Sequence, residues 1–188
     1  MKEYLQIIVD QANRLHQLAE DTLSITKMEA GRLNYHFKIV NVGRLFDDAI
    51  SMVRLSVRHE VGYEVDPDVA FIKGDQSKLR QVIQNLVSNA VKYSPKGGKV
   101  MVAAHKHPGS QILISIADEG IGIPQDKIDK LFQKFSRIDS PEANQIKGAG
   151  LGLWICREIV EAHGGKIWIE SVLGKGTTVY LTLNIAQP

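Results

Sequence analysis

The sequence predicts an α+β fold: a two-layer α/β sandwich, with helices on one face of a mixed sheet, preceded by one long helix. Three observations carry it. An apolar stripe at helical spacing runs through residues 1–31. After it, strand runs alternate with three helical patterns but form few βαβ repeats, so the sheet is mixed. Nine of the sixteen glycines fall between positions 120 and 176, clustered as well as numerous.

The first unit is residues 1–31. Leu5, Ile8, Ala12, Leu15, Ala19, Thr22 and Thr26 recur at steps of three and four. Val9, Leu18, Leu23 and Ile25 widen the stripe to the breadth of a bundle helix. Nothing nearby in sequence can pack against it, so a partner chain or an upstream helix is expected. Gly31 ends the helix.

Residues 32–188 read as one domain. Tyr35–Val40 is a predicted strand, and Asn41 caps a predicted helix running to about His59. Short strands follow at Val61–Val65 and Val69–Lys73. Asp75 is a good N-cap for a helix over Gln76–Tyr93, and Pro95–Gly98 is a turn. Lys99–His105 and Gln111–Asp118 form a hairpin around Pro108-Gly109. Pro124 opens a short helix to about Phe132. Residues 133–149 lack periodicity, and a loop this long is usually functional or disordered. Leu151–His163 is a helix closed by Gly164-Gly165. Strands at Lys166–Ser171 and Thr177–Ile185 complete the domain.

Composition bounds the function. The 188 residues are 44% hydrophobic and 23% charged, which suits a packed soluble domain and excludes a disordered chain. A net charge of +2, well interspersed, gives no nucleic-acid footprint. No run is long and apolar enough for a membrane span, and no signal peptide is visible. The single cysteine, Cys156, excludes an internal disulfide and reads as buried and inert, in a reducing, cytoplasmic setting.

Three glycine-rich segments carry the first chemical signal: Asp118-Glu-Gly120-Ile-Gly122-Ile123-Pro124, Gly148-Ala-Gly150-Leu151-Gly152-Leu153 and Gly174-Lys-Gly176-Thr177. Glycines let the backbone approach a phosphate, and a following helix N-terminus offers free N–H groups. The second segment opens the helix at 151 and is placed for this role. Neither standard phosphate loop fits: there is no G-x-x-x-x-G-K-[ST], and the dinucleotide-binding spacing is missing. The helix over 76–93 carries Asn85 and Asn89, four apart on one face, where amide oxygens can meet a hard cation. Taken alone, Asn85 reads as a hydrated helix-face residue. Lys92 and Tyr93 sit just beyond the pair.

The ordered set is more informative than any member. Asn85-Leu-Val-Ser-Asn89-Ala-Val-Lys92-Tyr93-Ser94, the Asp118 box, Leu131-Phe132-x-x-Phe135 and the two later glycine boxes follow one another in sequence. The set resembles the catalytic and ATP-binding domain of bacterial sensor histidine kinases. That group shares the Bergerat-type superfamily (GHKL) with gyrase, a heat-shock chaperone ATPase and mismatch-repair ATPases. The resemblance covers nearly the whole chain. Leu18-Ala-Glu-Asp-Thr-Leu-Ser-Ile-Thr-Lys-Met-Glu-Ala-Gly31 looks like the end of the second helix of the family's dimerisation hairpin.

The resemblance implies roles. Asn85 and Asn89 match Mg²⁺-binding and phosphate-facing asparagines, Lys92 a phosphate-contacting lysine, and Tyr93 a residue near adenine. Asp118 matches the aspartate that accepts a hydrogen bond from the adenine amino group; a carboxylate there would reject the guanine carbonyl oxygen. Gly120, Gly122 and Ile123 match the turn beside the base. Phe132 and Phe135 match the phenylalanine box, and Arg137 a basic residue able to reach the γ-phosphate. Gly148, Gly150, Leu151, Gly152 and Leu153 match the lid segment that cradles phosphate, and Lys147 beside them touches phosphate or solvent. Gly174, Gly176 and Thr177 match the last box.

Asn85 separates the branches of the superfamily. Hydrolysing members and the related serine-type kinases carry glutamate there, as general base. Asparagine cannot take a proton, whereas a neutral imidazole nucleophile already has its lone pair. The resemblance therefore implies a kinase that binds ATP and Mg²⁺ and transfers the γ-phosphoryl to histidine. An ATPase or serine kinase of the same superfamily and a non-catalytic nucleotide-binding or interaction module are the alternatives.

The acceptor histidine is expected upstream, on the first hairpin helix of a dimeric parent kinase, soluble or membrane-anchored, that serves a response regulator. None of the chain's own histidines fits that role. His16-Gln17 has no acidic neighbour, and His59-Glu60 falls at the end of a domain helix. His36, His105 and His107 lie in or beside strands, and His163 reads as a helix C-terminal residue favoured by the dipole. Trp154 and Trp168 are expected in the core or at the lid base, and Asp126, Lys127, Asp129 and Lys130 on a solvated face.

Overall fold

In the computed structural model, residues 2–53, 58–137 and 149–186 are described. Helix α1 spans Lys2–Glu29. Gly31, at φ +61°, takes the left-handed turn that ends it. Gly31 N–H donates to Met28 and Arg32 N–H to Lys27, which closes the last carbonyls in a Schellman pattern. Tyr4, Leu5, Ile8, Leu15 and Leu23 are exposed along α1. The chain separates into two compact units, Met1–Asn34 and Tyr35–Pro188. No helix among the described residues is long and apolar enough to cross a membrane.

The second unit is built on a five-stranded sheet. Its strands are β2 (His59–Val65), β4 (Gly98–His107), β5 (Gln111–Asp118), β7 (Gly176–Asn184) and β6 (Ile167–Val172), in that spatial order. β2 and β4 are parallel, joined by a crossover, and every other pair is antiparallel. A separate ribbon pairs β1 (Lys38–Asn41) with β3 (Phe71–Gly74). The sheet is mixed because the β2–β4 crossover carries α3, while β4–β5 and β6–β7 are hairpins and β7 returns beside β5 only after a long connection.

Three helices, α2 (Val42–Ser51), α3 (Gln76–Lys92) and α4 (Gly152–Ala162), pack on one sheet face. That face presents Val100, Val102 and Ala104 of β4 and Ile112, Ile114 and Ile116 of β5, all buried. Leu79, Val82, Ile83, Leu86, Val87 and Ala90 meet it from α3. The opposite face carries Leu113, Ser115, Tyr180 and Trp168, which are half-buried. Ile128, Leu131, Phe132 and Ile169 form a smaller hydrophobic cluster, with Ile123 and Leu153 packed against it.

Several boundaries differ from expectation. The helix after Asn41 ends at Ser51, and His59 opens β2 instead of closing a helix. Seven ladder positions with Gly98–Ala104 recruit that segment, and long-range pairing overrides its local pattern. The turn after Pro124 is a 3₁₀ helix, Gln125–Lys130. Trp168 stacks on Tyr180 at 5.3 Å on the open face instead of entering the core. Trp154 and Cys156 are buried on α4, as expected.

Candidate functional site

Asp118 ends β5, where the sheet register sets it opposite Thr177 of β7. Its Oδ1 accepts hydrogen bonds from Gly120 N–H at 2.8 Å and Thr177 N–H at 3.2 Å. Burial raises the carboxyl above the ordinary aspartate range, and those two donors oppose the rise. The turn that follows is packed backbone on backbone. A Cβ on Gly120 would stand 2.3 Å from the Tyr93 carbonyl oxygen and 2.7 Å from Asp118 Oδ1. One on Gly122 would stand 2.1 Å from the Val172 carbonyl oxygen. Glycine is needed here by space, and at Gly122, with φ +68°, by conformation as well.

Tyr93 is the C-cap of α3, and its carbonyl accepts from Ile121 N–H at 3.0 Å. Burial pushes its phenol up, and the Arg137 charge opposes that, so Arg137 lies within electrostatic reach. Ser171, absent from the expected site residues, joins the group. Its Oγ accepts from Ile123 N–H and donates to the Gly176 carbonyl, both at 2.8 Å. Its place was legible in principle, because the Gly174-Lys-Gly176 turn pairs Ser171 with Thr177.

A second cluster forms around the start of α4. Asn85 and Asn89 are half-buried on one side of α3, and Leu86, Val87 and Ala90 face the core. Gly152 opens α4, and a Cβ there would lie 3.8 Å from Asn85 Nδ2. The Asn85 amide therefore borders the N-terminal turn of an eleven-residue helix, where free N–H groups gather. Gly150, at φ +73°, runs against Phe135 and Ser136, while Leu151 is buried as the N-cap residue of α4.

The phenylalanine box divides. Phe132 is buried in the small cluster with Ile123 and Leu153 beside it, whereas Phe135 is 70% exposed at φ +60°. Lys92 is the last residue of α3 and half-buried. Lys147 and Gly148 lie outside the described residues. The expected site residues thus fall in two groups: Tyr93, Asp118, Gly120, Gly122 and Thr177 in one, Asn85, Gly150 and Gly152 in the other.

Comparison with known proteins identifies the arrangement. Residues 74–187 match the family model "Histidine kinase-, DNA gyrase B-, and HSP90-like ATPase". The chain belongs to this family. Among curated relatives, the sensor histidine kinase WalK of Bacillus subtilis (strain 168) is 35% identical over 184 residues, 96% of this chain and 30% of that protein. The sensor protein kinase WalK of Staphylococcus aureus is 33% identical over 96% of this chain and 44% of that protein. The chain thus spans less than half the length of these kinases. Full-length ShkA, solved in complex with AMPPNP, superposes with a TM-score of 0.80 at 26% identity, over 100% of this chain and 39% of that one. The catalytic domain of histidine kinase ThkA gives 0.68 at 27% identity, over 80% of this chain and 96% of that one. Both Asp118 and the Asn85 cluster lie within the matched span, and the chain carries a histidine-kinase-type catalytic domain.

Proposed function

We propose that this chain binds Mg-ATP and transfers the γ-phosphoryl to a histidine on a helical hairpin of its parent kinase. The observation that carries the reading is the pinned Asp118 carboxylate. Two backbone donors occupy Oδ1. Oδ2 takes no hydrogen bond among the described residues, so it can accept from an exocyclic amine. Adenine offers that amine and guanine does not. ShkA, solved with AMPPNP, supports a nucleotide in this fold.

The phosphates would then reach toward Asn85 and the α4 N-terminus, with Arg137 and Lys92 supplying charge. Among the described residues, no group of three or more His, Cys, Asp or Glu side chains converges on a metal position. The donor set at Asn85 and Asn89 is neutral amide oxygen. That set fits a Mg²⁺ ion that takes most of its ligands from phosphate and water. When bound, the ion would neutralise charge developing on the transferred group. Asn85 cannot act as a base on water, which favours a histidine acceptor over hydrolysis.

Residues 1–31 would be the C-terminal part of the second hairpin helix, and residues 32–188 the catalytic domain. The exposed Leu5, Ile8, Leu15 and Leu23 suit the dimeric bundle of a parent kinase. The phosphohistidine would feed an aspartate on a cognate response regulator. We place this piece in the cytoplasm, where ATP is supplied.

The test uses γ-labelled ATP and Mg²⁺ with three samples: the chain alone, the chain with its parent's two-helix hairpin, and that mixture carrying Asn85→Ala. Acid-labile label on the hairpin, absent from the other two samples, supports the reading. Phosphate release without label would make the chain an ATPase, and tight binding without turnover would make it a nucleotide-gated module.

A further inference from the structure

Residues 134–136 and 150–154 lie on either side of the segment 138–148, and the structure joins them at two points. A Cβ on Gly150 would stand 2.6 Å from the Ser136 carbonyl oxygen and 2.7 Å from the Phe135 carbonyl carbon, so the two backbones run in contact. One turn further on, Lys134 Nζ lies 4.5 Å from the ring centroid of Trp154. Trp154 is the third residue of α4 and is 7% exposed, so its ring is fixed by packing. Gly152, two residues earlier, borders the Asn85 amide. The cation–π contact is therefore applied to the same helical turn that borders the Asn85 amide.

We propose that Lys134 is a positioning residue: its ammonium group, held over the Trp154 face, sets the first turn of α4 against Asn85 and so shapes the phosphate end of the site. The inference rests on the nucleotide-binding reading above. It assigns the phosphate end a fastening of its own, separate from the Asp118 cluster that would read the base. A partly desolvated cation over an indole is strong enough to matter, because tryptophan gives the best face for this contact.

The experiment measures Mg-ATP affinity by calorimetry and adenosine affinity by nuclear magnetic resonance titration, on this chain and its variants. Lys134→Met is expected to weaken Mg-ATP binding by about three- to tenfold and to leave adenosine binding unchanged. Lys134→Arg, which keeps a cation over the ring, restores most of the loss. Trp154→Phe, with a weaker π face, gives an intermediate loss, and Trp154→Leu matches Lys134→Met. The double variant Lys134→Met/Trp154→Leu loses no more than either single one. Two results overturn the proposal: Lys134→Met at wild-type affinity, or a loss in Lys134→Met with both Trp154 variants at wild-type affinity. The second would mean that Lys134 touches phosphate directly. Should Trp154→Leu fail to fold, Trp154→Phe carries that comparison. A wild-type chain that binds neither ligand overturns the nucleotide reading itself.

Discussion

His163 Nε2 accepts a hydrogen bond from the Asp75 backbone N–H at 2.9 Å, tying the end of α4 to the start of α3. An acceptor at Nε2 requires that the ring be neutral, with its proton on Nδ1. Nδ1 then donates to the Ile159 carbonyl at 2.7 Å. The sequence suggested a histidine favoured by the helix dipole, which would stabilise the charged ring. Burial decides otherwise and lowers the imidazole pKa below its ordinary value.

Stability should therefore depend on pH through this residue. The unfolded chain takes up a proton near pH ~6.5 that the folded chain refuses, so protons favour unfolding. The contribution is complete above that pH and is lost as pH falls from there toward the lower folded value. Urea denaturation at pH 7.5 and 5.5 should show this loss in the wild type. His163→Leu should cost about 1–3 kcal/mol at pH 7.5, because the buried Asp75 N–H loses its acceptor, and should flatten the acid dependence.

Asp118→Asn should change which base is accepted. An asparagine can keep its oxygen on the Gly120 and Thr177 donors, which places an NH₂ where Oδ2 stood. That group faces the adenine amine donor to donor, and it suits a guanine carbonyl. ATP affinity should fall by tenfold or more, about 1.4 kcal/mol, while the gap between ATP and GTP narrows. Competition binding with the two nucleotides checks it.

Gly120→Ala should abolish nucleotide binding at a modest cost in folding. Its Cβ would collide with the Tyr93 carbonyl and Asp118 Oδ1, so the turn must open and the carboxylate must shift. Gly109→Ala is the control. Nothing lies within 4 Å of its Cβ position, although φ is +80° and strain remains. It should lose about 1 kcal/mol of stability and bind nucleotide normally. Thermal unfolding with and without Mg-ATP separates the two.

The two box phenylalanines should part company in denaturation. Phe132→Ala should cost about 3 kcal/mol, because the ring is buried among Ile128, Leu131 and Ile169. Phe135→Ala should stay within about 0.5 kcal/mol, because that ring is exposed.

Local signals in the sequence carried most of the fold. Asp75 caps α3 as its position implied, with Ser77 and Lys78 N–H bonded to its carboxylate. Asn41 caps α2 and accepts from Arg44 N–H in the same way. The β4–β5 hairpin and the helices on one face also follow from period and turn chemistry. These features depend on residues a few positions apart, so a linear pattern records them. The candidate site was legible as types and order: an acidic residue before a glycine turn, paired asparagines, a glycine run opening a helix.

Tertiary structure decided what depends on residues far apart in the chain. His59 became a strand residue because Gly98–Ala104 offered it a partner. Ser171 entered the site because β6 lies beside β7. Lys134 met Trp154, and His163 met Asp75, across twenty and eighty-eight positions respectively. His163 also lost its expected charge there, since desolvation outweighs a helix dipole once a ring is buried. Sequence by itself determined the elements and the chemical inventory. Burial and long-range pairing decided which members of that inventory meet, because only the packed chain excludes water and closes those distances.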